Sequence, residues 1–198
     1  MATIMSMEGN MSAKEALERS FKQLVLTTPY DKITISEICR NAHLSRKTFY
    51  ANFEGKEDIV AKIFEEGAVQ PIRLLNRTLT TQQAANLAAA LTENIYTYLE
   101  RERDYYKKLV GPPFDRNDTF RKVATECIAQ LDREILDVTF NVSEMERDYA
   151  ACYFGASQAA ICEKWIMDDM PIPATELAAL YKKFTSSYWG NFLLTADR

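Results

Sequence analysis

The chain has 198 residues, with 24 Lys and Arg against 28 Asp and Glu, four cysteines, one histidine, 47% hydrophobic and 26% charged residues. That composition excludes a disordered or fibrous chain, and the length suffices to bury roughly 70% of the unfolded surface. The lone His43 excludes motifs that need two histidines, such as H-E-x-x-H, and the net charge of −4 argues at first sight against a nucleic-acid partner.

Cys39, Cys127, Cys152 and Cys162 contain no C-x-x-C pair, which removes zinc-ribbon and thioredoxin-type readings. Cys152 and Cys162 fall in one expected helix, which sets their Cα atoms about 15 Å apart, beyond the roughly 7 Å disulfide limit. Free buried thiols in a reducing cytosol are expected, with no metal and no cofactor. Met1 to Met11 lacks the basic and apolar regions of a signal peptide and reads as a frayed leader. No apolar run approaches the roughly 18 residues of a membrane span, so a cytoplasmic protein without membrane association is expected.

The spacing predicts helices throughout, an all-α fold. The first runs from Ala13 to Thr27, opened by the capping box Ser12/Glu15, with Leu17, Phe21, Leu24 and Val25 on one face. After a break at Thr28–Asp31, a second box, Thr34/Glu37, opens a short helix with Ile35, Ile38, Cys39 and Ala42 on its apolar side. Ala42-His43-Leu44 is a turn, and Ser45 caps a third short helix from Arg46 to about Ala51. A fourth runs from Lys56 to about Val69, stopping before Pro71. One or more helices are expected over 71–79 and 82–109, then single helices over 119–138, 143–167 (boxed by Ser143/Glu146) and 174–194, with Gly111-Pro112-Pro113 the clearest breaker.

Two short amphipathic helices joined by a three-residue turn form a helix-turn-helix pattern, anchored by Ile38, Leu44 and Phe49. Helices this short need the first and fourth helices to complete a core. The outer face of the third helix is then free to enter a major groove. Arg46, Lys47 and Thr48 are the expected base readers. Thr34, Ser45, Tyr50 and Lys56 are expected to fix register on phosphates, with His43 in the turn close to one. Charge supports this: residues 1–64 hold nine Lys/Arg against eight Asp/Glu, and the remainder 15 against 20. Residues 40–56 alone carry Arg40, Arg46, Lys47 and Lys56 against Glu54, a net +3.

The run from Ile33 to Asp58, with T-I-x-x-I, then A-x-L-S-x-x-T-F-Y-x-x-F, then K-E-D, resembles the DNA-binding segment of the TetR/AcrR transcriptional regulators. The resemblance covers about residues 12–66. It implies an N-terminal three-helix DNA-binding domain, residues 1–66, and a C-terminal ligand-binding and dimerisation domain, residues 67–198. It further implies a ligand-responsive homodimer on a palindromic double-stranded operator, most often a repressor. His43 stands where the family most often has glycine; histidine tolerates the left-handed backbone expected there.

Gly111 to Phe114, Phe154-Gly155, Trp165 and Met167 to Leu180 resemble a Firmicutes-type subgroup of these C-terminal domains. Some of its members regulate dihydroxyacetone utilisation, sometimes as activators. The last two helices carry small residues (Ala150, Ala151, Gly155, Ala156) and many large apolar ones (Leu177, Leu180, Tyr181, Phe184, Tyr188, Trp189, Phe192). They form the dimer interface by resemblance, or complete the monomer core. Tyr96, Phe120, Tyr149, Tyr153, Gln158 and Trp165 are candidates for an effector pocket, although each aromatic taken singly also suits a core.

An enzyme is not expected, because phosphate loop, metal cluster and triad are all missing. An activator, or an interaction module that keeps the fold without specific DNA binding, remains open as an alternative.

Overall fold

The computed structural model describes residues 11–76, 92–111, 117–139 and 142–195, with side chains for all of these except 75–76, 138–139 and 186–195. Regular structure among the described residues is helical throughout. The chain forms two compact units, Met1–Ile59 and Val60–Arg198.

The first unit contains α1 (Ala13–Thr27), a 3-10 turn (Tyr30–Lys32), α2 (Ile35–Asn41), α3 (Arg46–Asn52) and the start of α4 (Lys56–Phe64). Both expected capping boxes are present: Ser12 with Glu15, and Thr34 with Glu37. Ser45 Oγ accepts from the Thr48 amide at 3.0 Å. Leu17, Phe21, Ile38 and Phe49 are fully buried in its core. Ser20, buried on α1, donates to the Ile38 carbonyl at 2.8 Å, and Asn41 donates to Ser20 at 3.2 Å, so two polar contacts fix α2 against α1.

The second unit departs from expectation at Pro71. The helix does not stop there. A π-helical turn, Glu65–Val69, follows α4 and leads directly into α5, Gln70–Asn76, with Pro71 near its start. In an unbroken α-helix the proline ring would meet the carbonyl four residues back; a wider turn just before it relieves that clash. The 82–109 stretch, read as one or more helices, holds α6 (92–101) and α7 (Arg103–Val110), separated at Glu102 with ψ 26°. Nothing in the composition around Glu102 signals that break. Residues 77–91 and 112–116, which include the alanine-rich stretch and Pro112-Pro113, lie outside the described residues.

Three long helices follow, α8 (Thr119–Thr139), α9 (Glu144–Met167) and α10 (Ala174–Thr195), at the expected bounds to within a residue. Ser143 and Glu146 form the third capping box. α8 and α9 are antiparallel, paired through Arg121 with Glu163 and Arg147 with Asp137. Between those pairs, a Cβ on Gly155 would lie 2.7 Å from the Ala129 Cβ and 2.8 Å from its amide nitrogen, so only glycine permits this approach. The four cysteines are free, but the expectation that all are buried holds only for Cys39 and Cys162; Cys127 is half-buried and Cys152 exposed.

Candidate functional site

The turn between α2 and α3 is set by backbone hydrogen bonds. Leu44 N–H donates to the Cys39 carbonyl at 2.9 Å and His43 N–H to the Arg40 carbonyl at 3.2 Å. This is a Schellman closure, which needs a left-handed residue at the position after the cap. His43 occupies it with φ 55°. α3 then inserts Phe49, fully buried, and the next residue after the helix, Phe53, into the core. The opposite side presents Arg46, Lys47, Tyr50 and Ala51 to solvent.

The exposed side is ordered by its own contacts. Arg46 donates to the Tyr50 hydroxyl at 3.4 Å and its guanidinium lies 5.9 Å from the Tyr50 ring centre. The Thr48 and Ser45 hydroxyls are 2.9 Å apart. Thr48 is half-buried, and its carbonyl accepts from Asn52 at 2.8 Å. His43 and Ser45 are exposed beside the helix start.

A separate part of the same unit holds Thr34 and Lys56. They line an open cleft of about 620 Å³ with Tyr30, Ile33, Gly55 and Glu57 among its walls. The Lys56 ammonium donates to the Tyr30 carbonyl at 3.0 Å and sits 4.5 Å from that ring's centre. Burial there pulls its pKa below the ordinary lysine value. The Thr34 hydroxyl is not idle either: it donates to Glu37 at 2.7 Å, and this bond lowers the Glu37 pKa. Tyr30 was not among the residues singled out from the sequence. Its role as the tether of Lys56 comes from a contact 26 positions away along the chain.

In the second unit the six pocket candidates separate. Tyr96 and Trp165 meet edge to face, ring centres 6.1 Å apart, and Tyr96 also meets Tyr181 at 6.5 Å. Gln158 is buried on the same face of α9 as Cys162 and Trp165. Phe120 lies elsewhere, in an aromatic group with Phe64 and Tyr106. Tyr149 and Tyr153 are at the surface, 74% and 53% exposed, and do not line an enclosed pocket with the others. Among the large apolar residues expected to pack the last two helices, Leu180 and Phe184 are exposed as well, while Tyr188, Trp189 and Phe192 lie outside the described side chains.

Three polar atoms in this region have no hydrogen-bond partner although they are enclosed: Tyr96 Oη, Gln158 Nε2 and Asp132 Oδ2. A buried unpaired polar group costs about 1–3 kcal/mol. Burial raises the Tyr96 phenol well above the ordinary tyrosine value and pushes the Asp132 carboxyl up to about 8. Asp132 was missed from the sequence. The signal was there: it falls on α8 among Ile128, Leu131, Ile135 and Leu136, all buried.

Residues 22–63 match the family of bacterial regulatory proteins named tetR, and residues 88–187 match a transcriptional regulator C-terminal region. The HTH-type dhaKLM operon transcriptional activator DhaS of Lactococcus lactis subsp. lactis (strain IL1403) is 25% identical over 171 residues, covering 84% of this chain and 86% of that protein. The solved dihydroxyacetone kinase operon activator DhaS superposes with a TM-score of 0.60 at 19% identity, over 91% of this chain and 97% of its own. A structure from Syntrophomonas wolfei str. Goettingen, placed in the TetR family, gives 0.63 at 17% identity, over 91% and 96%. These two structural likenesses concern the fold. With both a helix-turn-helix segment and the C-terminal region matched, the chain belongs to the TetR family of bacterial regulatory proteins: it is a DNA-binding transcriptional regulator and not an enzyme.

Proposed function

We propose that the protein is a dimeric, cytoplasmic regulator that binds a palindromic operator through α3 and releases or engages it in response to a small molecule. The observation that carries this reading is the division of α3 into a buried side, Phe49, and a solvent side bearing Arg46, Lys47 and Tyr50. Arg46, Lys47 and Thr48 are the base readers, while Thr34, His43, Ser45, Tyr50 and Lys56 hold phosphates. The acid excess resides in residues 65–198, so the net charge of −4 does not oppose this.

The dimer surface in this reading is the exposed apolar face of the last two helices: Met145, Tyr149 and Tyr153 on α9, and Leu180 and Phe184 on α10. Exposed apolar stripes of this kind on two helices favour a partner, and a second copy of the chain gives the two-fold symmetry of a palindrome. Among the described residues no helix is long and apolar enough to cross a membrane.

Repression is what the family resemblance implies. Activation is a second reading, favoured by the 25% identical relative, which is named an activator. Selection of bound genomic fragments, followed by footprinting and a reporter fused to the protected promoter, tests all of this. A two-fold symmetric footprint is expected, and reporter output on deletion of the gene separates the two signs. No enrichment over bulk DNA would contradict the proposal.

A further inference from the structure

We propose that the enclosed polar cluster between α6, α8, α9 and α10 is the binding site for a small uncharged molecule bearing hydroxyl or carbonyl oxygens. This rests on the reading that the second unit senses a small molecule, and it names the chemistry of that molecule.

The cluster is built from four helices. Tyr96 on α6 touches Trp165 of α9 and Tyr181 of α10 ring to ring. The Tyr181 hydroxyl lies 3.3 Å from Ser157 Oγ on α9 and donates to the Phe154 carbonyl at 3.4 Å. Gln158 follows Ser157 and stands one turn from Cys162, which lies within electrostatic reach of both Tyr96 and Tyr181. Asp132 approaches Tyr181 from α8.

Within this group the Tyr96 hydroxyl, the Gln158 amide nitrogen and one Asp132 oxygen are buried without partners. Tyr96 is fully buried and Gln158 is 4% exposed. Native interiors seldom leave buried polar atoms unpaired, and three such atoms on three helices linked through Tyr181 and Cys162 point to a site completed by a ligand.

Their chemistry restricts the class. Gln158 Nε2 is a donor and requires an oxygen acceptor. The Tyr96 hydroxyl both donates and accepts. Asp132 is half-buried with Oδ2 enclosed, and its carboxyl, pushed up to about 8, also donates and accepts in its protonated form. The groups that act on Tyr96 and Tyr181 are Ser157, Asp132, Tyr153, Cys162 and each other, and none is a cation. An anion therefore finds no counter-charge among the described residues that act on these two tyrosines. A simple amine would pair with Asp132 but leave the Gln158 donor unmet. A molecule with two or more neutral oxygens satisfies all three, while the rings of Trp165 and Tyr181 cover its carbon skeleton.

The test is ligand-observed NMR and calorimetric titration of the full chain with hydroxyacetone, 1,3-dihydroxyacetone and erythritol, against propylammonium and propionate of matched size. Saturable binding of at least one neutral probe is expected, weakened about tenfold or more in both Tyr96→Phe and Gln158→Leu. No saturable neutral probe, equal affinity in both variants, or preference for propylammonium or propionate would overturn the proposal. A second readout is independent of the probe: Gln158→Leu removes an unmet donor and is expected to raise the thermal midpoint of the ligand-free protein. A lowered midpoint with unchanged helix content means that the amide is already satisfied, and this also overturns it. Genomic DNA selection on the same preparation separates the outcomes, because enriched DNA with no neutral ligand leaves the regulator standing and removes only this site.

Discussion

Tyr98 of α6 occupies the space in which a side chain on Gly67 would lie, and its hydroxyl donates to the Ile63 carbonyl at 3.2 Å. Asn94, one turn earlier on α6, donates to the Ala68 carbonyl at 3.2 Å. Two side chains of one helix thus take one carbonyl just before the π turn and one within it, where the regular ladder is interrupted. Arg73 adds an ion pair to Glu65, inside the turn, and one to Glu134 of α8 at 2.7 Å. Gly67→Ala is expected to destabilise by about 1–3 kcal/mol through overpacking against the ring. Tyr98→Phe should cost about 1 kcal/mol through the lost hydrogen bond. Denaturant midpoints check both, and an unchanged midpoint for Gly67→Ala would contradict the packing.

His43 is held at φ 55° by the turn it closes. A left-handed conformation costs a non-glycine residue about 1–2 kcal/mol, and glycine returns part of that gain as chain entropy. His43→Gly should therefore stabilise the first unit by about 0.5–1 kcal/mol, whereas His43→Val should destabilise it by a similar amount or more. Chemical denaturation of both variants decides this. A loss of stability in His43→Gly would show that the imidazole makes a contact worth more than the strain.

The fold was largely legible because caps and apolar spacing are local. Ser12/Glu15, Thr34/Glu37 and Ser143/Glu146 each mark a helix start within four residues of sequence, and each box forms. The left-handed turn at His43 was legible for the same reason. What escaped required distant partners. The passage through Pro71 depends on the widened turn before it and on α6 side chains more than twenty positions away. Tyr149 and Tyr153 match the spacing of a buried face, yet burial depends on what lies opposite, and both are at the surface. Spacing identified the aromatic character of the second unit but not which rings meet.

Asp132 gives a pH signature. Its folded pKa is about 8, against an ordinary carboxyl value of 3.8, and burial is the cause. The native state therefore holds a proton that the unfolded chain has released between about pH 4 and pH 8. Its contribution is fully present below the unfolded pKa and is lost as pH rises through the folded one. Stability should fall across that window, and Asp132→Asn should flatten the fall. Thermal midpoints from pH 5 to pH 9 measure it; identical slopes in both proteins would contradict a protonated Asp132.

The apolar face of α9 and α10 makes a further prediction. Tyr149→Asp combined with Phe184→Asp places two charges on exposed positions, so folding is expected to survive. Light scattering should show the mass falling from two chains to one. Retention of the dimer would place the interface elsewhere.

In the proposed division of labour α3 reads base sequence while Lys56 only neutralises backbone. A gel-shift salt titration on the selected operator and on unrelated DNA tests it directly. Lys47→Ala should cost about 1–3 kcal/mol on the operator and relax the choice of sequence. Lys56→Ala should weaken both DNAs alike and reduce the salt slope by about one. Operator binding by both variants with wild-type affinity and slope would exclude that division of labour.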